Sequence, residues 1–100
     1  MSYAKIHIQA NQKSDEIFEI VKSAIDDKII KLELAKELFD SRLLPFEKKY
    51  NITSDYFMTN MAAEDLDGGD DEYVTWAGEY KLKKKLDDKL NILKGIQYVN

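Results

Sequence analysis

Apolar residues recur through residues 14–50 at the spacing of one face of an α-helix. At 100° per residue, ten of them fall in a sector of roughly 100° on one continuous helix. The members of this apolar stripe are Ile17, Val21, Ala24, Ile25, Leu32, Ala35, Phe39, Leu43, Phe46 and Tyr50. The pattern predicts one long helix over residues 14–50, with Ser14 as its N-cap. Pro45 lacks an N–H and its ring clashes with the carbonyl of Ser41, so we expect a kink or a break near Leu43.

A short helix and a long last helix are predicted after this one. Asn51 suits a left-handed position at the end of the long helix, and Ser54 is the expected N-cap of a helix over residues 54–63. An acidic loop with adjacent glycines follows. Asp70 or Asp71 is then expected to cap a last helix over residues 71–93.

The last helix carries two apolar groups that point about 135° apart on a helical wheel. One group consists of Tyr73, Trp76, Ala77 and Tyr80, and the other of Leu82, Leu86, Leu90 and Leu93. Either the helix rolls across the long helix and buries both groups, or one group meets another chain. The sequence leaves both arrangements open.

Near the N-terminus, polar and apolar side chains alternate from Lys5 to Ala10. This alternation predicts a short strand within an arm of residues 1–13, with Ile6, Ile8 and Ala10 on one face. Because no second convincing strand follows, the strand is expected to fray or to pair with a copy of itself or with a partner. The expected fold is a mainly α single domain over residues 1–100: a short N-terminal strand, a long helix with the kink or break expected from Pro45, a short helix, an acidic loop and a long C-terminal helix.

Composition is consistent with one small domain. The chain has 100 residues, of which 44% are hydrophobic, and this is enough for a small core. The absence of cysteine excludes disulfides, thiolate nucleophiles and Cys-based zinc sites. The sequence has neither the apolar run of a signal peptide nor a membrane span of ~20 apolar residues. We therefore expect a cytoplasmic protein that makes no membrane contact.

Charge is distributed unevenly along the chain. Residues 50–80 contain eight acidic residues and no Lys or Arg, while the formal net charge of the whole chain is -4. An acidic segment that also carries aromatic side chains repels nucleic acid and suits a basic protein partner. Five lysines between residues 81 and 89 are typical of an exposed helical face, with weak nucleic-acid contact as the alternative.

Catalysis and metal binding find no direct support in the sequence. His7 is the only histidine and has no evident companion as a base or a ligand. A twelve-residue calcium loop starting at Asp65 fails, because Asp70 stands where Gly is required and Trp76 where Glu is required. No Gly-rich phosphate loop is present. We predict a protein without enzyme activity, metal or cofactor.

Two surfaces are expected to carry function. The partner-binding surface combines acidic steering with aromatic anchors, and its residues are Asp67, Asp70, Asp71, Glu72, Tyr73, Trp76 and Tyr80. Trp76 with Tyr80 one turn later is also typical of a core, so the sequence leaves the role of Trp76 open. A homo-oligomer, with a dimer favoured, is expected to form through coiled-coil-like packing. Its residues are Ile17, Val21, Leu32, Phe39, Leu86 and Leu90.

Two segments resemble a family of small prokaryotic antitoxin-like proteins. They are FEKKYNITSDYF, from Phe46 to Phe57, and LDGGDDEYVTWAGEY, from Leu66 to Tyr80, followed by a Leu-spaced helix. The family pattern reads roughly LEKKYGMSSEEF, then GELGDDxDFFEWxxLY, then LxxxL. Matching positions are Glu47, Lys48, Lys49, Tyr50, Ser54, Phe57, Leu66, Asp70, Asp71, Tyr73, Trp76 and Tyr80. Asn51 stands where the family has Gly, and the glycine-containing loop is one residue longer.

The resemblance implies an antitoxin that sequesters a small basic toxin. A toxin that acts on RNA needs a positive groove, which an acidic loop would fill in place of phosphates. Two other functions stay open: a self-assembling helical structural or adaptor protein, and a nucleic-acid-associated regulator that uses the C-terminal lysines.

Overall fold

The fold is an elongated helical hairpin with a small strand pair at one end. The computed structural model describes residues 4–8 and 14–99, and its principal extents are 63 × 24 × 19 Å. Its elements are β1 (Lys5–His7), α1 (Ser14–Tyr50), α2 (Ser54–Asn60), a 3-10 turn (Ala63–Asp65), α3 (Gly69–Lys94) and β2 (Gln97–Val99). The predicted mainly helical architecture is confirmed.

Helix α1 continues through Pro45 to Tyr50, so the break expected near Leu43 does not occur. Pro45 lies on the exposed side of the helix, where water can satisfy the carbonyl that loses its N–H partner. The following turn is held by Phe46 and Tyr50, which pack on the core. Packing on one side and hydration on the other outweigh the cost of the proline.

The connection after α1 forms largely as predicted, but its caps differ. Asn51 has φ 54°, and Ile52 N–H donates to the Glu47 carbonyl at 3.2 Å. Helix α1 therefore ends with a residue in the left-handed conformation, as predicted. Thr53, not Ser54, is the N-cap of α2, because its side chain accepts from Tyr56 N–H at 3.1 Å. Helix α2 ends at Asn60, three residues earlier than predicted, where the chain turns extended at Met61.

The N-terminal cap of α3 also differs from the expectation. Neither Asp70 nor Asp71 caps it; the N-cap is Gly68, which makes no side-chain capping bond, and the helix starts at Gly69. Gly69 has φ +60°, a conformation that favours glycine. The backbone N–H of Gly68 instead donates a hydrogen bond to Oε1 of Glu72, a residue of α3, at 3.3 Å.

Helices α1 and α3 run antiparallel, as the order of the ion pairs between them shows. The pairs are Glu33 with Lys94 at 2.9 Å, Lys36 with Asp87 at 3.7 Å and Asp40 with Lys83 at 2.5 Å. Such partly exposed pairs contribute little stability one by one. Their order nevertheless shows the register of one helix on the other. Since Lys94 lies beside Glu33, the N-terminal part of α1 extends beyond the end of α3.

The N-terminal strand pairs within its own chain, so the expected fraying or intermolecular pairing is wrong. Strand β1 lies parallel to β2, with Lys5 opposite Gln97 and His7 opposite Val99. Tyr98 of β2 packs edge-to-face on Phe18 of α1, with ring centroids 5.6 Å apart. The ribbon therefore covers part of α1 beyond α3. Ala10, predicted on the same strand face as Ile6 and Ile8, lies outside the described residues.

The apolar stripe of α1 becomes more buried toward the hairpin turn. Ile17 is 36% exposed, whereas Leu43 is 1% exposed. Both apolar groups of α3 meet this chain, since Trp76, Ala77, Leu86 and Leu90 are buried. Leu82 is the exception at 50% exposed. Within residues 4–8 and 14–99, no helix has the length and apolar character needed to cross a bilayer.

Two glycine substitutions in α3 are expected to change the free energy of unfolding in opposite directions. Gly78 lies in the helix interior, and an added Cβ would meet no atom within 4 Å. We expect Gly78→Ala to raise the free energy of unfolding by about 0.5–1 kcal/mol, because alanine loses less backbone entropy on folding. Gly69→Ala should lower it, because alanine is strained at a positive φ. Urea denaturation followed by circular dichroism measures both; two shifts of the same sign would contradict this account.

Candidate partner-binding site

Trp76 forms the centre of the core rather than part of the surface. Its side chain is 0% exposed, and its ring stacks on Phe57 with centroids 3.8 Å apart. Phe46 and Tyr50 of α1 stack on it at 5.3 Å and 5.7 Å. The interpretation of Trp76 as a core residue is therefore correct, and its predicted role as an exposed partner anchor is wrong.

A buried polar network runs from Trp76 to α1. The indole Nε1–H of Trp76 donates to Ser54 Oγ at 2.8 Å, and Ser54 donates in turn to Glu47 Oε2 at 2.8 Å. The backbone N–H of Ser54 reaches the same carboxylate oxygen at 2.9 Å. Ser54 is 4% exposed, so an unpaired group here would cost free energy. The network joins α1, α2 and α3 at the hairpin turn.

Glu72 holds the loop before α3. Its carboxylate accepts from Lys49 Nζ at 2.7 Å, from the Tyr50 hydroxyl and from Gly68 N–H at 3.3 Å. The Tyr50 hydroxyl also accepts from Asp67 N–H at 2.9 Å. The hydrogen bond from Lys49, followed by that from Tyr50, lowers the pKa of Glu72, and the bond to Glu72 raises the pKa of Lys49. Glu72 therefore has a structural role at the hairpin turn, and its contact with a partner stays a prediction.

The two predicted tyrosine anchors are also partly committed to the fold. Tyr80 donates its hydroxyl to the Asp55 carboxylate, which raises the pKa of Tyr80 to about 12. Tyr73 packs on Phe57 with ring centroids 5.2 Å apart. Both side chains are half-buried, so each offers a partner only part of its ring.

The remaining predicted site residues lie together at the start of α3. Asp67, Asp70 and Asp71 are exposed, and so are Glu64 and Asp65 of the preceding 3-10 turn, which were not among the predicted site residues. We call these five carboxylates the acidic edge. Within the described part of the chain, none of them forms an ion pair, and no group of acidic or histidine side chains is arranged to hold a metal ion.

The residues predicted to form a dimer differ in their exposure within the single chain. Leu86 and Leu90 are 8% and 4% exposed and pack within the hairpin. Val21, Leu32 and Phe39 are half-buried, which leaves Ile17 as the one exposed member of the set. Leu86 and Leu90 therefore belong to the core of one chain, and the dimer itself stays a prediction.

Two of the five C-terminal lysines are engaged in ion pairs. Lys83 binds Asp40 at 2.5 Å, and Lys84 lies 3.8 Å from Asp55 and over the Tyr80 ring. Lys81, Lys85 and Lys89 are exposed. Within the described residues, these three unpaired lysines on one face form a weaker positive surface than all five lysines of residues 81–89 would form.

Replacing Ser54 tests the buried network. Ser54→Ala removes the acceptor of the buried Trp76 indole N–H and one of the donors to Glu47, which keeps only the backbone N–H of residue 54. We therefore expect the free energy of unfolding to fall by about 1–3 kcal/mol. Ser41→Ala is the matched control, since Ser41 is exposed and bonds only to the Leu38 carbonyl in its own helix. Chemical denaturation compares the two variants; equal, small effects would show that the network is not important to stability.

The Glu72 cluster should make stability depend on acid pH. Because the folded-state pKa of Glu72 is lowered from 4.5, its contribution is present above that value and is lost as the pH falls through the folded-state pKa. Glu72→Gln should therefore be less stable than the wild type at pH 7, and the difference should shrink below pH 4.5. Asp88→Asn, at an exposed carboxylate of α3, is the control. A difference that is constant across this pH range would exclude the ionic contribution.

Comparison of the chain with protein-family models, curated proteins and solved structures gave no match. The resemblance to antitoxin-like proteins therefore stays a prediction. The structure adds one fact about it: Glu47, Tyr50, Ser54, Phe57, Leu66 and Trp76, which carry much of the resemblance, form the core and the polar network of the hairpin turn.

Proposed function

We propose that the protein is a non-catalytic binding domain that takes a basic protein partner on its acidic edge. The observation that carries this proposal is the set of five exposed carboxylates between the 3-10 turn and the first turn of α3. Their mutual repulsion is not relieved by an ion pair within the described residues, and a cationic surface would relieve it.

Rigid support strengthens the proposal. The acidic edge includes the two neighbours of Leu66 in the sequence, and Leu66 packs in the core with Trp76 and Phe57. The N–H of Asp67 is fixed by Tyr50, and the carboxylate of Asp65 accepts from Ala62 N–H at 2.8 Å. A surface whose backbone is already fixed loses little conformational entropy on binding.

The carboxylates of this region divide into two sets. Asp55, Glu72 and Glu79 lie within 4 Å of Lys84, Lys49 and Arg42, so they serve the hairpin. The acidic edge is the part of the acidic segment that remains for intermolecular contact. Tyr56, which is 52% exposed on α2, is an aromatic group that a partner can still reach.

The resemblance to antitoxin-like proteins suggests what the partner is. Under this proposal it is a small basic toxin, which the protein neutralises in the cytoplasm. An acidic edge that occupies a phosphate-binding groove would block a toxin that acts on RNA. Catalysis, cofactors and direct nucleic-acid recognition have no part in the proposed function.

The first test is quantitative affinity purification from the native host. The tagged wild type should retain a stoichiometric small basic protein at low salt, with or without nuclease. Asp67→Asn with Asp70→Asn should retain several-fold less, because electrostatic steering is lost. Asp15→Asn with Asp88→Asn removes the same charge from exposed helical positions away from the edge and should behave as the wild type.

Association kinetics with the recovered protein complete this test. The edge variant should associate more slowly and show a weaker dependence on salt, because screening acts on exposed charges. If both double variants lose the partner equally, net charge is responsible and the acidic edge is not a site. Recovery of the tagged protein alone would favour the self-assembling alternative.

A further inference from the structure

Helix α1 has a second apolar stripe on the side that faces away from α3. Its residues are Ile20, Ile30, Leu34 and Leu38, which are 67%, 56%, 62% and 51% exposed. At 100° per residue they lie within a sector of roughly 80°. We call this sector the outer face of α1. On the opposite side of the same helix, Leu43 is buried and Asp40 pairs with Lys83 of α3.

This arrangement differs from that of an ordinary surface helix. A helix that packs on one neighbour normally carries polar residues on its opposite side. Single exposed aliphatic residues need no explanation, but Ile30, Leu34 and Leu38 follow one another at successive turns. Ile20 lies in the same sector, separated from them by the polar residues Ser23 and Asp27. A shallow depression lined by Glu19, Ile20, Ser23, Ala24 and Asp27 continues the face toward the N-terminus of α1.

The charges along the outer face have one predominant sign. Five carboxylates lie within about 90° of the stripe axis along residues 16–38; they are Glu16, Glu19, Asp26, Asp27 and Glu37, all exposed. Lys31 is the one basic residue in this zone. The five carboxylates form no ion pair within the described residues.

This charge distribution identifies the occupant. A second copy of the chain would bring an acidic surface against an acidic surface, with Asp27 near the middle of the contact. A segment with an apolar stripe and flanking Lys or Arg residues would satisfy both the stripe and its rim. We propose that the outer face of α1 binds a basic amphipathic helix of the protein partner. This inference rests on the proposed function only in that the partner is basic, and it uses a surface distinct from the acidic edge.

A labelled peptide tests the inference without the natural partner. The probe is a helical peptide of about 18 residues, or five turns, made of Leu at helical spacing and Lys elsewhere. Fluorescence anisotropy gives its Kd for the full chain. Ile30→Gln with Leu34→Gln should weaken binding about tenfold or more, because two central anchors are lost. A scrambled peptide of the same composition should bind far more weakly to the wild type.

Two control variants make the outcome specific. Val74→Gln with Ile92→Gln changes two aliphatic residues on α3 that are 68% and 63% exposed, and it should leave the Kd unchanged. Asp67→Asn with Asp70→Asn should also leave it unchanged. If only this acidic-edge variant weakens the peptide, the inference fails while the proposed function stands. If the edge variant keeps its natural partner but the outer-face variant loses the peptide, the proposed site fails and the inference stands.

Self-association is the remaining outcome to measure. Sedimentation equilibrium of the wild type should show a monomer at the concentrations used for anisotropy. A dimer that Leu34→Gln dissociates would overturn the inference, because the outer face would then belong to a second copy. Circular dichroism should be unchanged in all variants, since each replaced side chain is exposed.

Discussion

The hydrogen bond from the Trp76 indole to Ser54, with Glu47 behind it, is the constraint on which the rest of the structure depends. It places a residue from each of the three helices in one buried polar network. In a core that contains few fully buried side chains, this network gives α3 a single orientation on α1. The orientation of α3 then decides where Glu72 meets Lys49 and Tyr50, and so where the loop before α3 is held.

Much of the fold follows from local rules, and the differences arise where distant residues meet. The 3.6-residue period predicts α1 and α3 well, because each is long and carries a regular apolar side. Ser54 has the residue type and position of an N-cap, but its hydroxyl serves Trp76 and Glu47, and Thr53 takes the cap instead. Strand β2 is three residues long after Gly95 and is stabilised by pairing with residues at the other end of the chain. Periodicity in a short window contains no information about such a partner.

The acidic charge of the candidate site could be predicted from the sequence, but the residues that form the site could not. Eight acidic residues without a basic neighbour mark residues 50–80 in the sequence, yet the sequence does not show which of them are neutralised from α1. Lys49 neutralises Glu72 from a distance of 23 residues, whereas Asp67 remains exposed. The outer face of α1 was missed for a related reason. Its apolar residues are recognisable as exposed only once the side of α1 covered by α3 is known.

The position of the core also has a consequence for the dynamics of the molecule. Leu43, Phe57 and Trp76, the largest fully buried side chains, all lie at the turn, while the far end is closed by two three-residue strands from opposite ends of the chain. Bringing Lys5 to Gln97 closes nearly the entire chain into a loop, so its entropic cost is met only after the helices have docked. Hydrogen exchange should therefore be graded along the long axis, with the slowest amides near Trp76 and faster ones toward the ribbon. A partner bound along α1 would contact both the slowly exchanging part near the turn and the rapidly exchanging part near the strands. It would therefore slow hydrogen exchange most at the end of α1 that lies near the strands.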